Sequence, residues 1–187
     1  MGDMTNYIVS GCPRSGTSLL MQIISRSGMQ VATDKKREAD DDNLHGYYEV
    51  ENIIDKIKSD PQIVFNYTEQ VLKVVHYGLQ YLPKGDYKIV YMDRNIEEVL
   101  DSMEKMIGKK DNNREDTKQV FLKLNEKIKK LMQQRKDIDY VVVNFSNLIE
   151  NPTEELQKVI RLFGIESAKI SDMVQVIDPS CYRNRRG

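Results

Sequence analysis

Cysteine and histidine are scarce in this chain: its 187 residues hold only Cys12, Cys181, His45 and His76. Two cysteines so far apart cannot build a disulfide framework, and two histidines cannot complete a zinc cluster with them. The chemistry must therefore do without a Cys/His metal centre. Long apolar runs are also missing. The longest uncharged stretch, Ser15 to Ser25, falls well short of the roughly 20 apolar residues a bilayer span needs. The first six residues lack a basic region leading into an apolar run, and Asn6 stands where myristoylation needs Ser or Thr, so the expected address is cytosolic. An excess of one charge is absent as well. Twenty-eight Lys plus Arg face 29 Asp plus Glu, for a formal charge of −1, so no global field recruits nucleic acid or an acidic membrane. Any anion site must be local.

What is present is globular. Hydrophobic residues make up 40% and charged residues 30%, and the length suits one domain spanning 1–187. Tyr7-Ile8-Val9-Ser10 is a short apolar run that stops at Gly11, and Thr17 to Gly28 then shows helical periodicity through Leu20, Ile23 and Ile24. Further strands are expected at Val71 to Val75, Lys88 to Met92 and, most strongly, Tyr140 to Val143. Helices are expected at about 95–107, where Asn95 can cap with Glu98 placed as in a capping box, and at about 115–135. In the second, Phe121, Leu124, Ile128 and Leu131 form an apolar stripe, and Lys123, Lys127 and Lys130 form a basic one that reads as a solvated face. A third helix should open at Asn151-Pro152 and end before Gly164. Strands alternating with helices imply an α/β fold with a central, mostly parallel sheet and helices on both faces, whose ligands bind beyond the carboxyl ends of the strands. Thr33 to Gly46, with Lys35-Lys36-Arg37 and Asp40-Asp41-Asp42, reads as a long exposed loop.

Gly11-Cys12-Pro13-Arg14-Ser15-Gly16-Thr17-Ser18 has phosphate-loop spacing except at one position: Thr17 stands where a nucleotide triphosphatase carries lysine, and the cation is Arg14. A strand turning tightly into a helix N-terminus aims several amides at one place, and the helix dipole adds positive potential there. A turn without function would not need a strand before it, an uncapped helix after it and a cation within it. The expected architecture is thus a three-layer P-loop-like fold.

Pro13-Arg14-Ser15-Gly16-Thr17-Ser18 resembles the phosphosulfate loop of the sulfotransferases that use 3′-phosphoadenosine 5′-phosphosulfate (PAPS). The family's second element is similar too: an arginine at a strand end, here Arg94, with a serine eight residues on, here Ser102. If Asn95 caps the helix, Ser102 lies about two turns along and returns to the face on which Arg94 enters, so one phosphate can touch both. The bland alternatives are a surface salt bridge from Arg94 to Glu97 or Glu98, and a solvated helix serine. Phe145-Ser146-Asn147-Leu148 with Asn151-Pro152, the Gly46-Tyr47-Tyr48-Glu49 element and the basic Arg183-Asn184-Arg185-Arg186-Gly187 extend the resemblance. Leu19 stands where several members have a tryptophan that stacks on adenine.

The resemblance implies PAPS as co-substrate, no obligatory metal, and a small-molecule or carbohydrate acceptor presenting a hydroxyl or amine. It implies that Pro13, Arg14, Ser15, Gly16, Thr17 and Ser18 hold the 5′-phosphosulfate, that Arg94, Ser102 and Arg183 hold the 3′-phosphate, and that Arg14 offsets charge on the leaving phosphate. Two residues compete as general base. His76 follows Lys73-Val74-Val75, similar to a Lys-Thr-His element but one residue longer; Glu49 matches the glutamate of other branches. Lys73 would assist at the leaving oxygen. Tyr47, Tyr48, Tyr77 and Tyr81 flank the expected acceptor pocket. Two rivals stay open. In a P-loop kinase, Asp93 would organise Mg²⁺ and Ser18 would ligate it; in an inactive nucleotide-binding module the base would be lost.

Overall fold

A computed structural model describes residues 5–34 and 48–179 together with Tyr182. Four parallel strands form the sheet: β1 (Asn6–Gly11), β2 (Val71–Lys73), β3 (Tyr87–Asp93) and β4 (Ile138–Asn144), in the order β2-β1-β3-β4. The helices are α1 (Thr17–Arg26), α2 (Ile53–Ser59), α3 (Ile96–Ile107), α4 (Arg114–Gln134), α5 (Phe145–Glu150), α6 (Pro152–Phe163) and α7 (Ile170–Val174). Short 3₁₀ segments occupy Pro61–Tyr67, His76–Tyr81 and Ser167–Lys169. The alternation of strand and helix is as the periodicity implies. β2 is the exception in length: it ends at Lys73, not at Val75, because the chain turns at Val75 into the 3₁₀ segment that begins at His76.

Period-two alternation splits the strand side chains between two cores. Ile8, Leu72, Ile89 and Tyr91 face one side, with Ile57 of α2 and Ile128 and Met132 of α4. Val9, Val71, Val90, Met92 and Val143 face the other, with Ile23 and Ile24 of α1, Val159 and Phe163 of α6, and Met173 of α7. Most of these side chains are fully buried, each contributing about 1.5–3 kcal/mol of transfer free energy. The expected α4 stripe holds, with Leu124 and Leu131 packed partly buried against the first core.

Topology then places the site. From β1 the chain runs first to β2 on one side and later to β3 on the other, so the crevice beyond the carboxyl ends of β1 and β3 is the switch point of the sheet. Register adds detail. Gly11 pairs with Met92, and Asp93 pairs with Asn144, so Arg94 and Phe145 are the first residues past two neighbouring strands and emerge side by side.

Candidate active site at the phosphate loop

The loop between β1 and α1 is shaped by close packing. A Cβ on Gly11 would lie 2.6 Å from the Met92 carbonyl oxygen, so β1 can leave the sheet here only without a side chain. Arg14 (φ 65°) and Gly16 (φ 101°) both take the left-handed region, which curls the backbone into a concave nest. At Gly16 a Cβ would stand 2.5 Å from the Phe145 ring. No side chain caps α1, whose cap position is Gly16 itself, so its first amides face the crevice without an internal acceptor. One expected contributor turns inward instead. The Ser15 amide donates to the Cys12 carbonyl at 3.1 Å and the Ser15 hydroxyl to the same oxygen at 2.7 Å, closing the turn. The open amides are those of Gly16, Thr17 and Ser18 at the start of α1.

The second arginine meets the loop. Arg14 Nε donates to Ser102 Oγ at 3.0 Å, and Arg94 Nη1 donates to the Arg14 carbonyl at 3.1 Å. Arg14, Arg94 and Ser102, separated by some 80 residues of sequence, are thus one hydrogen-bonded group. Ser102 is buried, so it is not a solvated helix serine. Asn95 does cap α3, accepting from the Glu97 amide at 2.9 Å.

Glu98 departs from the capping box. Arg94 Nε donates to Glu98 Oε2 at 3.0 Å, with side-chain exposures of only 8% and 2%, so the ion pair that sequence offered as a surface alternative exists inside the protein. The Tyr182 hydroxyl donates to both Glu98 carboxylate oxygens, at 2.8 and 2.9 Å. That single proton is shared, so Ser146 Oγ, 2.8 Å from the Tyr182 oxygen, acts as donor to it. Burial foremost raises the Tyr182 pKa, which keeps the phenol protonated. The Arg94 guanidinium lies 4.2 Å over the Phe145 ring and 5.4 Å from the Tyr182 ring, and the two rings meet edge to face at 5.1 Å.

On the β2 side a third group converges. Lys73, 7% exposed, donates to Ser18 Oγ at 3.2 Å and pairs with Glu49 Oε2 at 2.9 Å. Segment 48–51 is tied down by the Glu51 amide on Asp34 Oδ2 at 2.8 Å and the Asp34 amide on the Glu49 carbonyl at 3.3 Å. Lys73, Glu49 and the loop's Ser18 therefore meet at one end of the crevice.

His76 is placed differently. Its ring is 1% exposed and stacked on Phe121 of α4, with centroids 6.1 Å apart and planes 9° off parallel. Neither ring nitrogen has a hydrogen-bond partner among the described residues, and burial lowers its pKa to about 4, so it is neutral at pH 7. One turn of α4 beyond Phe121, Asn125 Oδ1 accepts from the Cys12 thiol at 3.1 Å and from the Tyr91 hydroxyl at 2.8 Å. Burial pushes the Cys12 pKa up to about 11, so the thiol is a donor and not a nucleophile. Lys129 pairs with Asp93 at 2.9 Å. The expected Arg183, His45, Gly46 and Tyr47 lie outside the described residues.

The sulfotransferase domain profile matches residues 4–184. The chain belongs to that family. The sulfotransferase domain from the curacin biosynthetic pathway superposes with a TM-score of 0.55 and 12% identity, over 95% of this chain and 79% of the other. Mouse sulfotransferase SULT7A1, complexed with PAP, also gives 0.55 and 12%, over 98% of this chain and 67% of the other. A sugar kinase from a Janibacter species aligns at 0.47 and 11%, over 87% of this chain and 96% of the other. No curated protein gives a significant sequence match. At such identities the likeness is one of fold, and the sulfotransferase assignment rests on the profile match along almost the whole chain.

Two residues of the candidate site, Tyr182 and Asn125, escape a reading of sequence. They act through contacts 34 to 113 positions away in the chain. Phe145 and Glu98 are legible in part: Phe145 is an aromatic directly after a strand whose Asn144 caps a new helix by accepting from the Asn147 amide at 3.0 Å, and Glu98 lies four residues from Arg94.

Proposed function

We propose that this sulfotransferase-family chain moves a sulfuryl group from PAPS to a hydroxyl or amine of a small-molecule or carbohydrate acceptor. The observation that carries this reading is the junction of Arg14, Ser102 and Arg94. It joins a loop suited to one phosphate to an arginine–serine pair suited to another, within the span of a doubly phosphorylated adenosine. The residues fit the donor: the open amides of Gly16, Thr17 and Ser18 with Arg14 suit the 5′-phosphosulfate, and Arg94 with Ser102 suits the 3′-phosphate.

Transfer is an in-line displacement in which negative charge grows on the bridging oxygen as its bond to sulfur breaks. Arg14 and Lys73 supply positive charge there, Lys73 from its position on Ser18. For the proton of the acceptor, geometry favours Glu49, whose carboxylate is a hydrogen bond from Lys73 and partly open to solvent; His76 is sealed against Phe121. The kinase reading is weakened by the same contacts. Asp93 is neutralised by Lys129 and Ser18 is engaged by Lys73, so neither is arranged for Mg²⁺.

The test compares melting temperatures with adenosine 3′,5′-bisphosphate, with ATP plus Mg²⁺ and without ligand, since only ligands that favour the native state raise them. A rise with the bisphosphate that Arg14→Ala abolishes is expected. A rise with ATP plus Mg²⁺ alone would overturn the reading.

A further inference from the structure

Arg94 is held on three sides. Its Nε is fixed by Glu98, its Nη1 by the Arg14 carbonyl, and its face by the Phe145 ring. Among the described residues Nη2 has no partner, so the edge of the fork that carries it is the one left for an anion. Which way that edge points depends on the Glu98 carboxylate, because a guanidinium is planar and turns as a unit about its Nε contact. Glu98 in turn is held from the far side by Tyr182, whose hydroxyl spans both carboxylate oxygens and is backed by Ser146 of α5. The chain of contacts from Ser146 through Tyr182 and Glu98 to Arg94 is unbroken and largely buried. A buried carboxylate beside an anion site also repels its ligand unless its charge is engaged elsewhere, and the phenol proton engages it.

We propose that Tyr182 is a positioning residue for the donor's 3′-phosphate: by clamping both oxygens of Glu98 it sets the direction of the Arg94 fork and tempers the negative charge behind it. This rests on the donor reading given above. Tyr182 makes no contact with the transferred group in this scheme; it acts through Glu98 and so governs discrimination between nucleotides that carry a 3′-phosphate and those that do not.

Tyr182→Phe removes the hydroxyl and keeps the ring against Phe145 and Arg94. Calorimetric titration of the full chain with adenosine 3′,5′-bisphosphate and with adenosine 5′-monophosphate reads the effect. The wild-type chain should prefer the bisphosphate, and Tyr182→Phe should reduce that preference about tenfold by weakening the bisphosphate alone, the scale of one charge-assisted hydrogen bond. Ser146→Ala, which removes the hydroxyl that backs Tyr182, should lower the same ratio by a smaller factor. The proposal is overturned if Tyr182→Phe leaves the ratio intact, or if both nucleotides weaken equally, as general loosening of the fold would produce. Failure of the donor reading looks different: the wild-type chain itself would bind both nucleotides alike or neither, and the role of Tyr182 would fall with it.

Discussion

Replacing Arg94 by methionine removes a guanidinium from a pair in which both side chains are almost wholly enclosed, at 8% and 2% exposure. The consequence is not confined to ligand binding. Glu98 would be left as an enclosed carboxylate that has lost the Arg94 counter-charge, and breaking a buried pair from one side costs about 3–5 kcal/mol. Against a typical domain stability of about 5–15 kcal/mol that is a large fraction, equivalent to a fall in Tm of roughly 10 °C for a chain of this size. Removing both charges is different in kind. In Arg94→Met/Glu98→Leu both members of the pair are removed together, apolar side chains of similar length fill the space under Phe145, and most of the lost stability should return. Urea unfolding measures this, and calorimetric titration with adenosine 3′,5′-bisphosphate provides the second readout. The single variant should be strongly destabilised, the double variant close to the wild type in stability, and binding absent in both. Two results would refute the reasoning: an Arg94→Met chain as stable as the wild type, or a double variant that binds the bisphosphate undiminished.

Other outcomes follow from the same contacts. Because burial lowers the His76 pKa from 6.5 to about 4, the unfolded chain takes up this proton first; stability present above pH 6.5 is lost as pH falls toward 4, by up to about 3 kcal/mol, and the urea midpoint of His76→Leu should fall less over that window than the wild type's. Asn125→Leu strands the fully buried Tyr91 hydroxyl and the Cys12 thiol, a loss of about 1–3 kcal/mol seen by thermal unfolding, and adding Tyr91→Phe should restore much of it.

The strands, the loop and the paired arginines were legible because their signals are local. β-branched runs mark β3 and β4, a strand followed by Gly11 and Gly16 marks the nest, and an interval of eight residues marks Arg94 with Ser102. What stayed hidden has no local signature. For Glu98 the spacing shows a capping residue or a partner for Arg94 four residues away, but not that the pair is enclosed, at 8% and 2% exposure. Tyr182 is one of ten tyrosines, and nothing in its neighbours on the chain distinguishes it. The Ser15 amide looks available in the motif but is used within its own turn. Lys73 and Glu49 were each legible as charged residues near the expected site; that Lys73 pairs with Glu49 while reaching Ser18 depends on β2 ending beside β1.

Phe145 has a consequence of its own. One benzyl group leans on Gly16 at the nest, on the flat of Arg94 and on the rim of Tyr182, so three parts of the molecule share a single bearing. A smaller residue there would slacken the nest and the Arg94 fork together, and a larger one would crowd both. If the proposed donor binds here, affinity for its two ends is therefore mechanically linked, and a substitution at this position that tunes one end carries the other along.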